Sequence, residues 1–159
     1  MLTDGQIESV WKRKLEAEVR SLYFGDLANR YSRIKQAITA VSFFLSSGAA
    51  ATVIAKAPLW VPVLQSAIVA LVTAYSIGVG LERRATTMAK LHSVWNQIAV
   101  DYDRLWNHAY DAGAEVEFED LVRREKDPSE LATTEAPDDQ ERLGKWQDYV
   151  FQQHGLKNV

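Results

Sequence analysis

QAITAVSFFLSSGAAATVIA, residues 36 to 55, and APLWVPVLQSAIVALVTAYSIGVGL, residues 57 to 81, contain no Asp, Glu, Lys or Arg. Only Lys56 stands between them. A helix rises about 1.5 Å per residue and a bilayer core is about 30 Å thick, so about 20 apolar residues span it. Both stretches are long enough. They predict a transmembrane helix over 34–55, a short external tip over 56–59 and a second transmembrane helix over 60–81. Pro58 and Pro62 mark the turn. The competing reading is two buried helices of a soluble bundle. Such helices carry a charged face, and neither stretch has one. The rest of the chain is too polar to bury both.

Working outward, the flanks set the orientation. Lys12, Arg13, Lys14, Arg20, Arg30, Arg33 and Lys35 precede the first stretch, and Arg83, Arg84, Lys90 and Arg104 follow the second. The positive-inside bias therefore predicts both termini in the cytoplasm, with Trp60 at the outer interface and Tyr31 at the inner one. Arg30, Arg33, Arg83 and Arg84 form the expected basic belt at the membrane interface. A cleaved signal peptide is not expected, because more than thirty patterned residues precede the first apolar run. Without Cys, and with the start MLTDGQ, no lipid anchor is expected either.

Residues 1–33 read as a cytoplasmic amphipathic helix with Asp4 as N-cap. Its apolar stripe runs through Ile7, Trp11, Leu15, Val19 and Leu22, and Gly25-Asp26 predicts a local bend or a break. Residues 82–112 predict a second cytoplasmic helix, leaving the membrane without interruption. Met88, Leu91, Trp95, Ile98, Tyr102, Leu105 and Ala109 alternate steps of three and four, a heptad seam held for about three heptads. The two stripes are expected to pack on each other, within or between subunits, and the seam is the expected assembly surface. The aromatic members Trp95, Tyr102 and Trp106 offer a ligand cage as the alternative.

The chain's averages hide this order. It has 159 residues, 47% hydrophobic and 25% charged, a mean hydropathy of −0.20 and a net charge of −3. Those values describe an ordinary soluble domain. By segment, residues 1–110 carry +4, residues 111–141 carry −9 and residues 142–159 carry +2. Residues 113–137 read as an acidic linker, in which EVEFEDLV alternates like a short strand or an amphipathic turn. Residues 138–159 read as a short C-terminal helix and tail with Leu143, Trp146, Val150 and Phe151 apolar. The weak net charge argues against direct nucleic-acid binding.

No catalytic constellation emerges: there is no phosphate-binding glycine loop, HExxH or GxSxG. Asp101 and Asp103 point about 200° apart on a helix and cannot chelate one metal. They are expected on exposed heptad flanks. With 0 Cys and His92, His108 and His154 scattered, neither a metal site nor a cofactor is expected. The chain is read as a non-enzyme. The spans are more informative. Ser42, Ser46 and Ala50 recur every four residues, as do Ser47, Ala51 and Ala55, and Ala70, Ala74 and Gly78; Ser76 and Gly80 add another pair. Small residues let helices approach closely in lipid, so a homo-oligomer is expected. Ser42, Ser46, Gln65, Thr73, Ser76 and Gly78 are candidates for helix packing or for a weakly polar pore lining. No charge lies inside the spans, so a proton relay is not expected.

The lead-in RYSRIKQAITAVSFFLSS, the tight hairpin APLWVP and the exit LERRATTMAKLHSVWNQIAVDYDRLW resemble the SLATT family, the SMODS- and SLOG-associating two-transmembrane effectors of bacterial defence. The resemblance covers roughly residues 5 to 110. It implies an all-α membrane protein: a two-transmembrane helical hairpin extended by long cytoplasmic helices in a coiled-coil-like stalk, plus a short C-terminal tail helix. It also implies an inner-membrane effector of an anti-phage, abortive-infection type system. Such an effector oligomerises to open a pore or disrupt the bilayer when an upstream sensor protein or nucleotide second messenger signals. The alternative is a non-conducting membrane adaptor that tethers a soluble sensor or enzyme through its cytoplasmic helices.

Overall fold

The computed structural model describes residues 1–54, 58 and 60–156. Six helices and no strand occur among these residues: α1 (Asp4–Ile54), α2 (Trp60–Val79), α3 (Leu81–Asn107), α4 (Ala114–Arg124), α5 (Lys126–Glu135) and α6 (Gln140–Gln153). The chain divides into two compact units. One comprises Met1–Ala28 and the chain from Thr87 onward; the other is Asn29–Thr86.

α1 begins one residue away from the expected cap. The Thr3 backbone N–H donates to Gln6 Oε1 at 2.8 Å, and the Gln6 N–H donates back to Thr3 Oγ1 at 3.4 Å. This is a Thr-x-x-Gln capping box, so Thr3 is the N-cap and Asp4 stands in the first turn, facing the positive end of the helix dipole. α1 then runs for 51 residues. Gly25-Asp26 causes neither a break nor a helix end. Gly25 serves a close approach instead: a β-carbon there would lie 3.0 Å from His92 Nδ1. Asp26 accepts from Arg142 Nη1 at 2.6 Å.

In the first unit α1 uses two faces, and the partner assignment differs from expectation. Val10, Lys14, Ala17 and Ser21 step by four, three and four, and all are buried. The polar members of this face reach α3: Lys14 Nζ lies 2.5 Å from Asp103 Oδ1, and His92 Nδ1 donates to the Ser21 carbonyl at 2.8 Å. The apolar stripe read from the sequence turns to α6 instead. Leu15, Val19 and Val150 form one cluster, flanked by Trp11, Leu22, Leu143, Trp146 and Phe151. The α3 side needs small or amphipathic residues because the helices approach closely. A lysine stem can lie on apolar surface while its ammonium finds a carboxylate, so this face escapes a search for apolar periodicity.

The segment read as an acidic linker is two helices. α4 places Glu115 and Glu117 in its first turn and Arg123 and Arg124 in its last, each charge complementing the helix dipole. Ala114 and Leu121 are buried while Val116 is 72% exposed. The apolar residues therefore follow a helical period, and the two-residue alternation of EVEFEDLV does not describe their burial. In α5, Pro128 sits in the first turn, where no helical acceptor awaits its missing N–H. Ala136, with ψ of 144°, begins the short extended link to α6. The Asp139 side chain caps α6 by accepting from the Arg142 backbone N–H at 3.1 Å, close to the expected helix start at 138.

α2 and α3 are separated by Gly80 alone, whose φ of +63° lies in the left-handed region. The expected uninterrupted exit from the apolar stretch thus stops at the glycine that bounds it. The helix also ends at Asn107 and not at 112, and Gly113 at φ +95° introduces α4.

Candidate functional site

The second unit carries the apolar surface. α2 has no buried residue, although it is the most apolar helix of the chain. Trp60, Val63, Leu64, Leu71, Tyr75 and Ile77 are all more than half exposed. Phe43 and Phe44 of α1 are exposed by 68% and 73%. Among the described residues, one helical run, beginning at Trp60, is long and apolar enough to cross a membrane, and none of its apolar window is buried. Soluble monomers rarely expose a contiguous apolar surface on this scale, so it marks a membrane or protein contact.

Much of the partial burial on the two long helices of this unit is periodic. On α1, Tyr31, Lys35, Ile38, Ser42, Leu45 and Gly48 are partly covered; on α2, Pro62, Gln65, Val69, Val72, Ser76 and Val79 are. The α2 set alternates steps of three and four, and the α1 set steps by four, three, four, three and three, the spacing of one stripe on each helix. A β-carbon on Gly48 of α1 would meet Gln65 Nε2 of α2 at 3.4 Å, and further back along α1 Lys35 Nζ lies 3.0 Å from Glu82 Oε1 in the first turn of α3. The pairing is antiparallel, since the later α1 residue meets the earlier partner.

This arrangement divides the residues singled out for packing or pore lining. Ser42, Gln65 and Ser76 lie on the inter-helix stripes, half-buried. Ser46, Thr73 and Gly78 are exposed, and nothing approaches within 4 Å of where a Gly78 β-carbon would be. Gln65 Oε1 is buried without a hydrogen-bond partner among the described residues. Thr39 Oγ1 donates to the Lys35 carbonyl at 3.0 Å, which satisfies its hydroxyl inside its own helix. The external tip expected at 56–59 falls largely on Lys56, Ala57 and Leu59, which lie outside the described residues, as does Ala55. Pro58 is described: its carbonyl accepts from the Val61 N–H at 3.0 Å.

Arg30, Arg33, Arg83 and Arg84 of the expected basic belt are all exposed, in the turns that border the apolar surface. The heptad seam has a different fate from the one expected. Met88, Leu91, Trp95, Ile98, Tyr102 and Leu105 are each no more than 1% exposed within a single chain. They are core, so the seam offers no surface to another subunit. The same burial closes the ligand cage. Arg20 lies over the Trp95 ring, 4.5 Å from its centroid, and Trp106 packs on Trp11 with centroids 5.2 Å apart.

Of the two aspartates expected on the exposed flank, Asp101 leaves it and Asp103 stays on it. Asp101 is buried and pairs with Arg124 at 2.9 Å, and Asp103 pairs with Lys14. Two histidines with no evident carboxylate in sequence find one in space. His108 Nε2 lies 2.9 Å from Glu117, and His154 Nε2 lies 2.7 Å from Glu18. The hydrogen bond to Glu117 raises the His108 pKa above its ordinary 6.5. The buried Tyr102 hydroxyl has no partner of good geometry. Burial, and then the neighbouring Glu125 carboxylate, push its pKa well above the ordinary phenol range. These are structural pairings, and none of them faces an open cavity with a nucleophile beside it. Comparison of the chain with protein-family models, with curated proteins and with solved structures gives no match.

Proposed function

We propose that Asn29–Thr86 is a membrane-inserted helical hairpin and that the other unit is its water-facing, cytoplasmic domain. The observation that carries this is α2: a charge-free helix of 20 residues with no buried residue. In water its exposed side chains are unfavourable by about 25 cal/mol per Å² of apolar surface. In a bilayer they are at no disadvantage, and the small residues Ser42, Gly48 and Ser76 on the partly covered stripes let the two helices approach closely. The belt of four arginines supports both termini on the cytoplasmic face of the inner membrane.

On this footing the chain acts without catalysis, as an oligomeric membrane effector of the kind its resemblance to the SLATT family implies. An upstream sensor or second messenger triggers it, and the hairpins then open or disrupt the bilayer. Of the six packing or pore candidates, Ser46 and Thr73 are the exposed polar side chains that could line a path between copies. Inducible expression with a membrane-potential dye tests this, alongside carbonate extraction of the membranes. Depolarisation that is lost in Ser46→Leu/Thr73→Leu supports a conducting assembly. Intact potential on triggering overturns it.

A second reading has one observation in its favour. Ser42, Gln65 and Ser76 are half-covered within one chain, which leaves a thinner polar lining than the sequence suggested. A membrane adaptor that tethers a soluble partner through its cytoplasmic unit needs no lining at all. It retains its activity when Ser46 and Thr73 are both leucine.

A further inference from the structure

We infer that the exposed side of α1 in the second unit, from Ser32 to Phe44, is a binding groove for one anionic phospholipid. The inference rests on the membrane reading of that unit and names the lipid class it would hold.

A concavity of about 550 Å³ runs along this face, lined by Ser32, Lys35, Gln36 and Thr39 at one end and by Phe43 and Phe44 at the other. Ala40 lies between them and leaves the hollow. Polarity therefore changes in one direction along the helix axis, from hydroxyl, amide and ammonium groups to two aromatic rings. The face is about 18 Å long at 1.5 Å per residue. That matches a headgroup layer and most of the roughly 15 Å of one leaflet's hydrocarbon. The rings are 6.0 Å apart at 74°, an edge-to-face pair presenting both a flat and an edge surface to an acyl chain.

The charge at the polar end selects the headgroup. Lys35 is paired with Glu82, so those two charges offset each other. Arg33 stands on the same side, one turn from Gln36 and three turns from Phe44; Arg30, about 120° round the helix from Gln36, adds charge at the polar end without facing the groove. Both are exposed. Guanidinium groups take phosphate oxygens in a two-point geometry that ammonium groups do not offer. A phosphodiester above, an ester region beside Gln36 and Ser32, and an acyl chain against Phe43 and Phe44 use each part of the groove. Free phosphate would use only its polar end.

The test uses the full chain in nanodiscs that contain phosphatidylglycerol and phosphatidylcholine, with retained lipids counted by native mass spectrometry. Wild type is expected to retain phosphatidylglycerol preferentially. Arg30→Gln/Arg33→Gln is expected to lower that preference by about twenty-five-fold, since each arginine at an anionic surface contributes roughly a fivefold factor. Phe43→Ala/Phe44→Ala is expected to lower retention of both lipids together. Circular dichroism confirms that each variant keeps its helices. An equal lipid ratio in wild type and in the arginine variant overturns the inference, as does displacement of the lipid by inorganic phosphate alone. Carbonate extraction of wild type separates the two levels. Release from the membrane overturns the membrane reading and this inference with it, whereas retention without lipid preference overturns the lipid site alone.

Discussion

Arg124 and Asp101 pair at 2.9 Å, joining the end of α4 to the buried side of α3. The next residue, Glu125, pairs with Arg13 of α1 at 2.5 Å. Neighbouring residues of opposite charge thus anchor one corner of the tail to two different helices. This is why a strongly acidic segment folds back on the chain instead of trailing from it.

Removing one member of the deeper pair exposes its weight. Asp101 is buried, with Gln97 as its remaining hydrogen-bond donor at 2.9 Å. Arg124→Ala is therefore expected to cost about 1–3 kcal/mol, the penalty for leaving a buried polar group under-satisfied. Arg123→Ala, whose partner Asp120 lies one turn away at the surface, is expected to cost less than about 1 kcal/mol. Urea unfolding of both variants, followed by tryptophan fluorescence, checks the order.

Gly25 tests the close approach of α1 to His92. In an exposed helix, glycine to alanine gains up to about 1 kcal/mol. Here the new methyl would sit 3.0 Å from an imidazole nitrogen already held by the Ser21 carbonyl at 2.8 Å. Overpacking costs about 1–3 kcal/mol, so the net sign is destabilising. Gly25→Ala is expected to lower the melting temperature, and His92→Ala in the same chain to recover part of the loss. A melting temperature above wild type for Gly25→Ala would remove the steric account.

His108 and Glu117 make the start of α4 sensitive to pH. The folded-state pKa of His108 is raised above 6.5, and its hydrogen bond to Glu117 is the main cause. The stabilisation is therefore complete below the unfolded imidazole value and is lost as pH rises through the raised folded value. Proteolytic cleavage between His108 and Glu117 is expected to quicken on going from acidic to alkaline buffer. His108→Gln should flatten that profile, and an NMR titration of His108 gives the midpoint directly.

Gln65 separates helix packing from conduction. Its Oε1 is buried without a partner among the described residues, so Gln65→Leu is expected to remove an unsatisfied acceptor from the helix pair. Thermal stability in detergent is expected to hold or to rise by up to about 1–2 kcal/mol. A marked loss of stability would mean that the amide has a binding role between the helices. Membrane-potential measurements on the same variant should stay at the wild-type level, because the side chain faces α1 and not the exposed surface.

Much of the architecture is local enough to be legible in the chain itself. The charge-free stretches, the arginines at their borders and the heptad spacing from Met88 to Leu105 follow from side-chain chemistry and from one helical period. At those residues the structure has an exposed apolar helix, exposed arginines and a stripe buried within one chain. The partners of the faces are not local. Leu15 and Val19 meet Val150 from the far end of the chain, and α3 receives the mixed face of Val10, Lys14, Ala17 and Ser21. Asp101 and Glu125 become inward groups only because Arg124 and Arg13 arrive to neutralise them. Spacing along a helix decides which residues share a face. Which face is covered, and by what, depends on contacts between residues distant in the chain, and those exist only once it has folded.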